Sequence, residues 1–138
     1  MSAVFFDSNI LIYTLVEHDP REPVAAALLA RGGVISVQVL NEFVAVARRK
    51  LRLSWPEVID ALAAIRACCP PPRPLTLATH EAALGLAERY GFQVYDALIV
   101  AAALEARCGT LFSEDLQDGQ VVEGRQGRIT IRNPFAAG

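Results

Sequence analysis

Four carboxylates occupy positions from which they could act together. Asp7 follows the β-prone run Ala3-Val4-Phe5-Phe6 directly, and Asp115 follows Leu111-Phe112 with only Ser113 and Glu114 between. Glu42 lies in the first turns of a helical-looking segment after a short apolar stretch, and Asp96 begins another such segment after Tyr95. Two like charges about 4 Å apart repel by roughly 4 kcal/mol at an effective dielectric near 20, so gathering these groups requires a cation or bound protons. With no His or Cys beside them, an all-oxygen site favours a hard ion, Mg2+ or Mn2+, over Zn2+. One or two such ions can activate water and stabilise charge developing on a phosphodiester, with no protein nucleophile.

The elements around these acids determine whether they can meet. Ala3 to Phe6 reads as a strand feeding a helix that begins near Ile10-Leu11-Ile12-Tyr13, and Val24 to Ala30 is the apolar part of a second helix. Val34 to Val37, after Gly32-Gly33, reads as a second strand, followed by helical spacing through Val39, Leu40, Phe43 and Ala47. Ser54-Trp55-Pro56-Glu57 has the capping-box form and opens a helix through Ile59, Leu62 and Ile65 that stops near Pro70. Pro70-Pro71-Pro72-Arg73-Pro74 cannot continue a helix and reads as an extended connector to a strand at Leu75 to Leu77. Thr79 is expected to cap a helix ending at Gly91, Tyr95-Asp96 to open another through Arg107, and Thr110 to Phe112 and Arg128 to Ile131 to be strands.

Short apolar strands alternating with helices imply a three-layer α/β domain with a mostly parallel sheet. In open parallel sheets, ligands gather at the carboxyl ends of the strands. Asp7 and Asp115 fall there, and an ionised Asp96 is favoured at a helix start.

Length and composition narrow the class. At 138 residues and 53% hydrophobic content, the chain supports one substantial core, read as a single domain over 1–138. The longest apolar stretches fall short of the roughly 20 residues that span a bilayer, and no basic region precedes an apolar run at the N-terminus. Cys68, Cys69 and Cys108 form neither an even disulfide framework nor a Cys-x-x-Cys knuckle, so a cytoplasmic protein with reduced thiols is expected. The net charge of -2 neither suggests nor excludes an RNA substrate. Of 13 basic residues only Lys50 is lysine; arginine suits phosphate binding, but genomic bias also enriches it.

Each acid also has an ordinary reading. Asp7 could be a loop acid or helix cap, Asp96 an N-cap, and Glu42 a solvated residue on a polar helix face, while Glu114, Asp115 and Asp118 could form an acidic turn. Periodicity leaves these alternatives open.

The order of motifs adds a resemblance that covers nearly the whole chain. Phe6-Asp7-Ser8-Asn9-Ile10-Leu11-Ile12-Tyr13, the stretch from Ile35 through Glu42 to Phe43, Tyr95-Asp96 through Leu104, and Leu111 through Asp115 to Gly119 resemble the four motifs of PIN-domain nucleases, and among them the VapC-like toxins of toxin–antitoxin pairs. The resemblance implies a PIN-like α/β/α fold and a ribonuclease using Mg2+ or Mn2+. It assigns Asp7, Glu42, Asp96 and Asp115 as metal-binding carboxylates, with Asp118 a further member. Ser8, Asn9 and Ser113 match supporting positions, and Glu114 is not expected to point inward. A homodimer and an antitoxin partner are implied in the same way.

Arg48-Arg49-Lys50-Leu51-Arg52, beyond Glu42 on the same expected helix, could hold an RNA backbone or simply be a solvated helix end. His18 and His80 lack metal-ligand spacing. Leu11, Ile12, Leu15, Leu28 and Leu29 outnumber what one small sheet face requires, which leaves either mutual packing of the first two helices or an exposed groove for an antitoxin helix. A phosphate-accepting signalling domain would need a cation near the last strand, whereas Lys50 lies elsewhere. A phosphomonoesterase usually wants a second acid two residues after the first, where this chain has Asn9. A non-catalytic binding module that titrates a protein partner is the remaining alternative, and retention of all four acids argues against it.

Overall fold

The computed structural model describes residues 3–136; the expected single-domain span of 1–138 extends past them to residues 1–2 and 137–138, which lie outside the described residues. The described elements run β1 (Val4–Phe6), α1 (Ser8–Tyr13), α2 (Arg21–Arg31), α3 (Val37–Arg49), α4 (Trp55–Cys68), α5 (Leu77–Tyr90), α6 (Val94–Glu105), β2 (Thr110–Phe112), β3 (Val121–Gly124) and β4 (Gly127–Arg132).

The sheet order is β1-β2-β4-β3, with β1, β2 and β4 parallel and β3 antiparallel at the edge. Consecutive strand residues face opposite sides of a sheet, yet Phe5 and Phe6 are both fully buried, so helices cover both faces. The three-layer α/β/α expectation holds. Phe5, Phe6, Ile10, Leu11, Ile35, Phe43, Ile99, Leu111, Ile129 and Ile131 form the centre of the core.

Helix α6 explains the longest apolar run of the sequence. Every residue from Ala97 to Leu104 is buried, as in a helix hydrophobic on all sides and packed among other elements. It packs against α5 and α3. No described helix is long and apolar enough to cross a membrane.

Helix α4 starts where the capping box requires: Ser54 Oγ accepts from the Glu57 amide, and Glu57 Oε1 accepts from the Ser54 amide at 2.8 Å. Helix α5 ends at Gly91, whose left-handed φ of 78° suits glycine.

Several local expectations are corrected. Leu75 to Leu77 is not a strand: Thr76 caps α5, accepting from the Thr79 amide at 3.1 Å, so the cap lies three residues before the expected one. Thr79 is instead buried and donates to Glu105. The connector reaches the sheet through a bridge between Ser36 and Arg73. Likewise, Val34 to Val37 contributes only isolated bridges, Phe5 with Val34 and Ser36 with Arg73, because Ser36 already caps α3. Helix α6 begins at Val94 after Gln93 and ends at Glu105, making Asp96 a first-turn residue and not its cap. Strand β4 extends Arg128–Ile131 by one residue at each end, and β3, which pairs with it as a hairpin, had no clear signal in the sequence.

The apolar side chains of the first two helices, for which mutual packing and an exposed groove were both open, differ in burial. Leu11 and Ile12 are buried, and Leu15, Leu28 and Leu29 are half-buried against the core. Mutual packing, the plainer alternative, accounts for Leu11 and Ile12. A shallow apolar groove of about 430 Å3 runs between α3 and α4, lined by residues including Val37, Leu40, Val44, Ile59 and Leu62.

Candidate active site

Parallel pairing places two acids side by side. The register sets Phe6 beside Phe112, so the chain leaves β1 and β2 at the same edge, and the Asp7 amide donates to the Phe112 carbonyl at 3.0 Å. Asp7 is only 3% exposed. One carboxylate oxygen accepts from the Ser8 amide, making Asp7 the N-cap of α1; the other accepts from Ser113 Oγ at 2.7 Å. The helix-cap reading of Asp7 is thus correct for its backbone role and does not exhaust what the side chain does.

Glu42 enters from α3, whose start lies at the same edge because Val34 bridges to β1. It is half-buried, against the solvated alternative, and accepts from Gln38 Nε2 at 3.1 Å and Ser8 Oγ at 3.4 Å. Asp96 enters from the first turn of α6. Asn9 joins the first and last motifs: its Nδ2 donates to Asp115 Oδ2 at 3.2 Å, and its Oδ1 accepts from the Glu114 amide at 3.1 Å. Ser113 Oγ also accepts from the Asp115 amide, closing the turn.

The acids perturb one another. Burial pushes Asp7 up to about 7 against the lowering effect of its hydrogen bonds with Ser113 and Ser8, and the charges of Glu42 and Asp115 raise it further. Burial likewise raises Glu42, with Asp96 and Asp115 adding to the rise, and raises Asp96, with Asp115 adding. Asp7, Glu42, Asp96 and Asp115 therefore share one electrostatic environment, and among the described residues none of the four forms a salt bridge.

Asp118 does not join this group. Its Oδ1 accepts from the Asn133 amide at 2.9 Å, fastening the segment after β2 to the chain end beyond β4. The basic run lies toward the far end of α3: Lys50 is eight residues beyond Glu42, ~12 Å along a helix axis. Arg48 is engaged there, stacked over Trp55 at 4.4 Å and donating to the Leu53 carbonyl, while Arg49 and Lys50 are exposed.

The donor set fits a hard divalent ion in kind, being entirely oxygen and deficient in positive charge. Among the described residues, no three His, Cys, Asp or Glu side chains stand close enough to chelate an ion as they are placed. The geometry gives a reason: Asp7, Glu42 and Asp115 are each turned toward a neighbouring hydrogen-bond donor. Bringing the carboxylates closer together would work against their repulsion and need a cation to be favourable.

Residues 4–117 match the family model of the PIN domain, a span that contains all four acids. The chain belongs to the PIN domain family. Solved structures agree on the fold. Mycobacterium tuberculosis VapC20, described as a sarcin-ricin loop cleaving toxin, matches with a TM-score of 0.65 at 22% identity, over 82% of this chain and 92% of its own. A toxin–antitoxin complex from Klebsiella pneumoniae gives 0.67 at 19% identity, over 96% and 98%. VapBC2 from Rickettsia felis, bound to a DNA fragment from its promoter, gives 0.60 at 20% identity, over 83% and 88%. No curated protein sequence matches.

Two kinds of residue around this PIN-domain site escaped the sequence reading. Gln38, one helical turn before Glu42, could have been found from its i,i+4 spacing. Tyr13 and Arg21 engage Glu114, in the turn that carries Asp115, from about a hundred residues away, with Asp19 holding Arg21, and no local pattern announces them.

Proposed function

We propose that this protein is a metal-dependent endoribonuclease, the toxin of a toxin–antitoxin pair, that hydrolyses RNA phosphodiester bonds with Mg2+ or Mn2+. The observation that carries the reading is the convergence of Asp7, Glu42, Asp96 and Asp115 at the carboxyl edge of β1 and β2 in a PIN domain, with the proton affinities of Asp7, Glu42 and Asp96 raised. The VapC-type structural neighbours support the toxin assignment.

In this reading Asp7, Glu42, Asp96 and Asp115 hold the metal. When bound, the ion supplies activation of water and stabilisation of charge on the phosphodiester. Ser113 and Ser8 orient Asp7 and Glu42, and Asn9 orients Asp115. Asp118 contributes from outside the carboxylate group, through the ordering of its segment or through water. Arg49 and Lys50, with Arg48 beside them, contact RNA backbone at the far end of α3. The α3–α4 groove offers apolar surface to an antitoxin helix, and the active toxin is a homodimer in the cytoplasm.

Cleavage of a mixed, end-labelled RNA pool with Mg2+, Mn2+ or EDTA, beside Asp96→Asn, tests the proposal. Metal-dependent cleavage lost in the variant supports it. No cleavage by folded protein free of inhibitor moves the assignment to a non-catalytic binding role.

A further inference from the structure

Glu114 and Asp115 are adjacent, yet their carboxylates take different partners. Asp115 faces the acid group: its Oδ2 accepts from Asn9 Nδ2 at 3.2 Å, and its amide donates to Ser113 Oγ, the hydroxyl that bonds Asp7. Glu114 instead meets the start of α2. Arg21 Nη1 donates to both of its oxygens, at 3.0 and 3.3 Å, and Tyr13 Oη donates to Oε1 at 2.7 Å.

Arg21 is itself fixed. Its Nε and Nη2 donate to the two oxygens of Asp19 at 2.9 and 2.8 Å, and its guanidinium lies 4.1 Å over the Tyr13 ring. The Tyr13 ring packs edge-on against Phe135. Burial and donation to Glu114 push the Tyr13 hydroxyl up to about 12, which keeps it a proton donor. A planar guanidinium can serve two carboxylates at once in this way, and an ammonium cannot reproduce the geometry.

We propose that Arg21 is a positioning residue: by holding the Glu114 carboxylate on the outer side of the turn, it fixes Asp115 toward Asp7, Glu42 and Asp96. The turn has few other anchors, chiefly the Asn9 and Ser113 hydrogen bonds. Pairing Glu114 with Arg21 also keeps a further negative charge out of an acid group that already lacks compensation. This inference rests on the metal-dependent reading above.

The test is a double-mutant cycle of Arg21→Ala, Glu114→Gln and the pair, read by amide hydrogen exchange over residues 113–116 and by titration with Mn2+ alone. Arg21→Ala is expected to speed exchange in the turn by about tenfold or more, and to weaken Mn2+ binding roughly 10- to 100-fold, as for other residues that orient metal ligands. Because both variants release one clamp, the pair should resemble either single change. Mn2+ affinity within about twofold of wild type in folded Arg21→Ala, or additive losses in the pair, overturns the proposal. Glu114→Gln keeps the side-chain shape and serves as the decisive variant if Arg21→Ala does not fold. Wild-type protein that takes up no Mn2+ defeats the metal reading; exchange then judges the clamp by itself, and unchanged exchange overturns it.

Discussion

Ser113 donates its hydroxyl proton to Asp7 across 2.7 Å, joining the ends of two parallel strands whose residues lie 106 positions apart in sequence. This bond opposes the desolvation of a carboxylate that is almost wholly buried. Ser113→Ala should therefore drive the Asp7 proton affinity higher, shift the rising limb of the cleavage pH profile toward alkaline pH, and lower stability by about 1–3 kcal/mol. Ser113→Thr, which keeps the hydroxyl, should restore the profile. An unshifted profile in Ser113→Ala would remove this bond from the account of the site.

Asp7 also sets an expected pH dependence of stability without metal. Its affinity rises from the ordinary 3.8 to about 7 in the folded chain. Between these values the folded form keeps a proton that the unfolded form releases, so stability falls as pH rises; above about 7 the penalty is complete, about 4 kcal/mol for this shift. Glu42 and Asp96 act with the same sign. Metal-free protein should melt at a lower temperature near pH 8 than near pH 5, as ~1 kcal/mol moves Tm by a few degrees in a chain of this size. Mg2+ should raise Tm more at the higher pH. Calorimetry showing no pH trend would sink this account.

Neutralising the acids should separate activity from stability. Asp7→Asn, Glu42→Gln, Asp96→Asn and Asp115→Asn are each expected to reduce RNA cleavage by about 100-fold or more, the scale of losing one electrostatic group from an active site. Without metal, the first three should match or exceed wild type in thermal stability, because each relieves a carboxylate whose charge the fold disfavours. Loss of cleavage accompanied by unfolding in all of them would make the acids structural.

The basic end of α3 can be tested through salt. Arg49→Ala and Lys50→Ala should weaken RNA binding similarly for all sequences, and each should reduce the salt slope by about one contact. Arg48→Ala should differ by also lowering stability, since it breaks the Trp55 stack and the Leu53 bond. Unaltered salt slopes in all three variants would leave the run as a solvated helix end.

Gly33 tests how closely the edge of the site is packed. A Cβ there would lie 2.6 Å from the ring of Phe6, the fully buried residue before Asp7. Gly33→Ala should destabilise by about 1–3 kcal/mol through overpacking, measurable by urea denaturation. A neutral result would show that the ring moves freely.

The sequence by itself determined the type and order of the parts that matter most. Asp7 after Phe6, Asp115 after Phe112, the Ser54 capping box and the Gly91 stop are signals within a few residues, where sterics and local hydrogen bonds decide the outcome. Where two local signals competed, the nearer reading was not always the one selected: Thr76 and Thr79 are both plausible caps, and only the burial of Thr79 against Glu105 chooses between them. The tertiary structure alone decided that β1 and β2 are neighbours, that Asp118 accepts from the Asn133 amide, and that Arg21 holds Glu114. Those outcomes depend on which distant segments pack together. A local pattern specifies that an element forms and which face it buries, but a pairing across about a hundred residues is set only when the whole core closes.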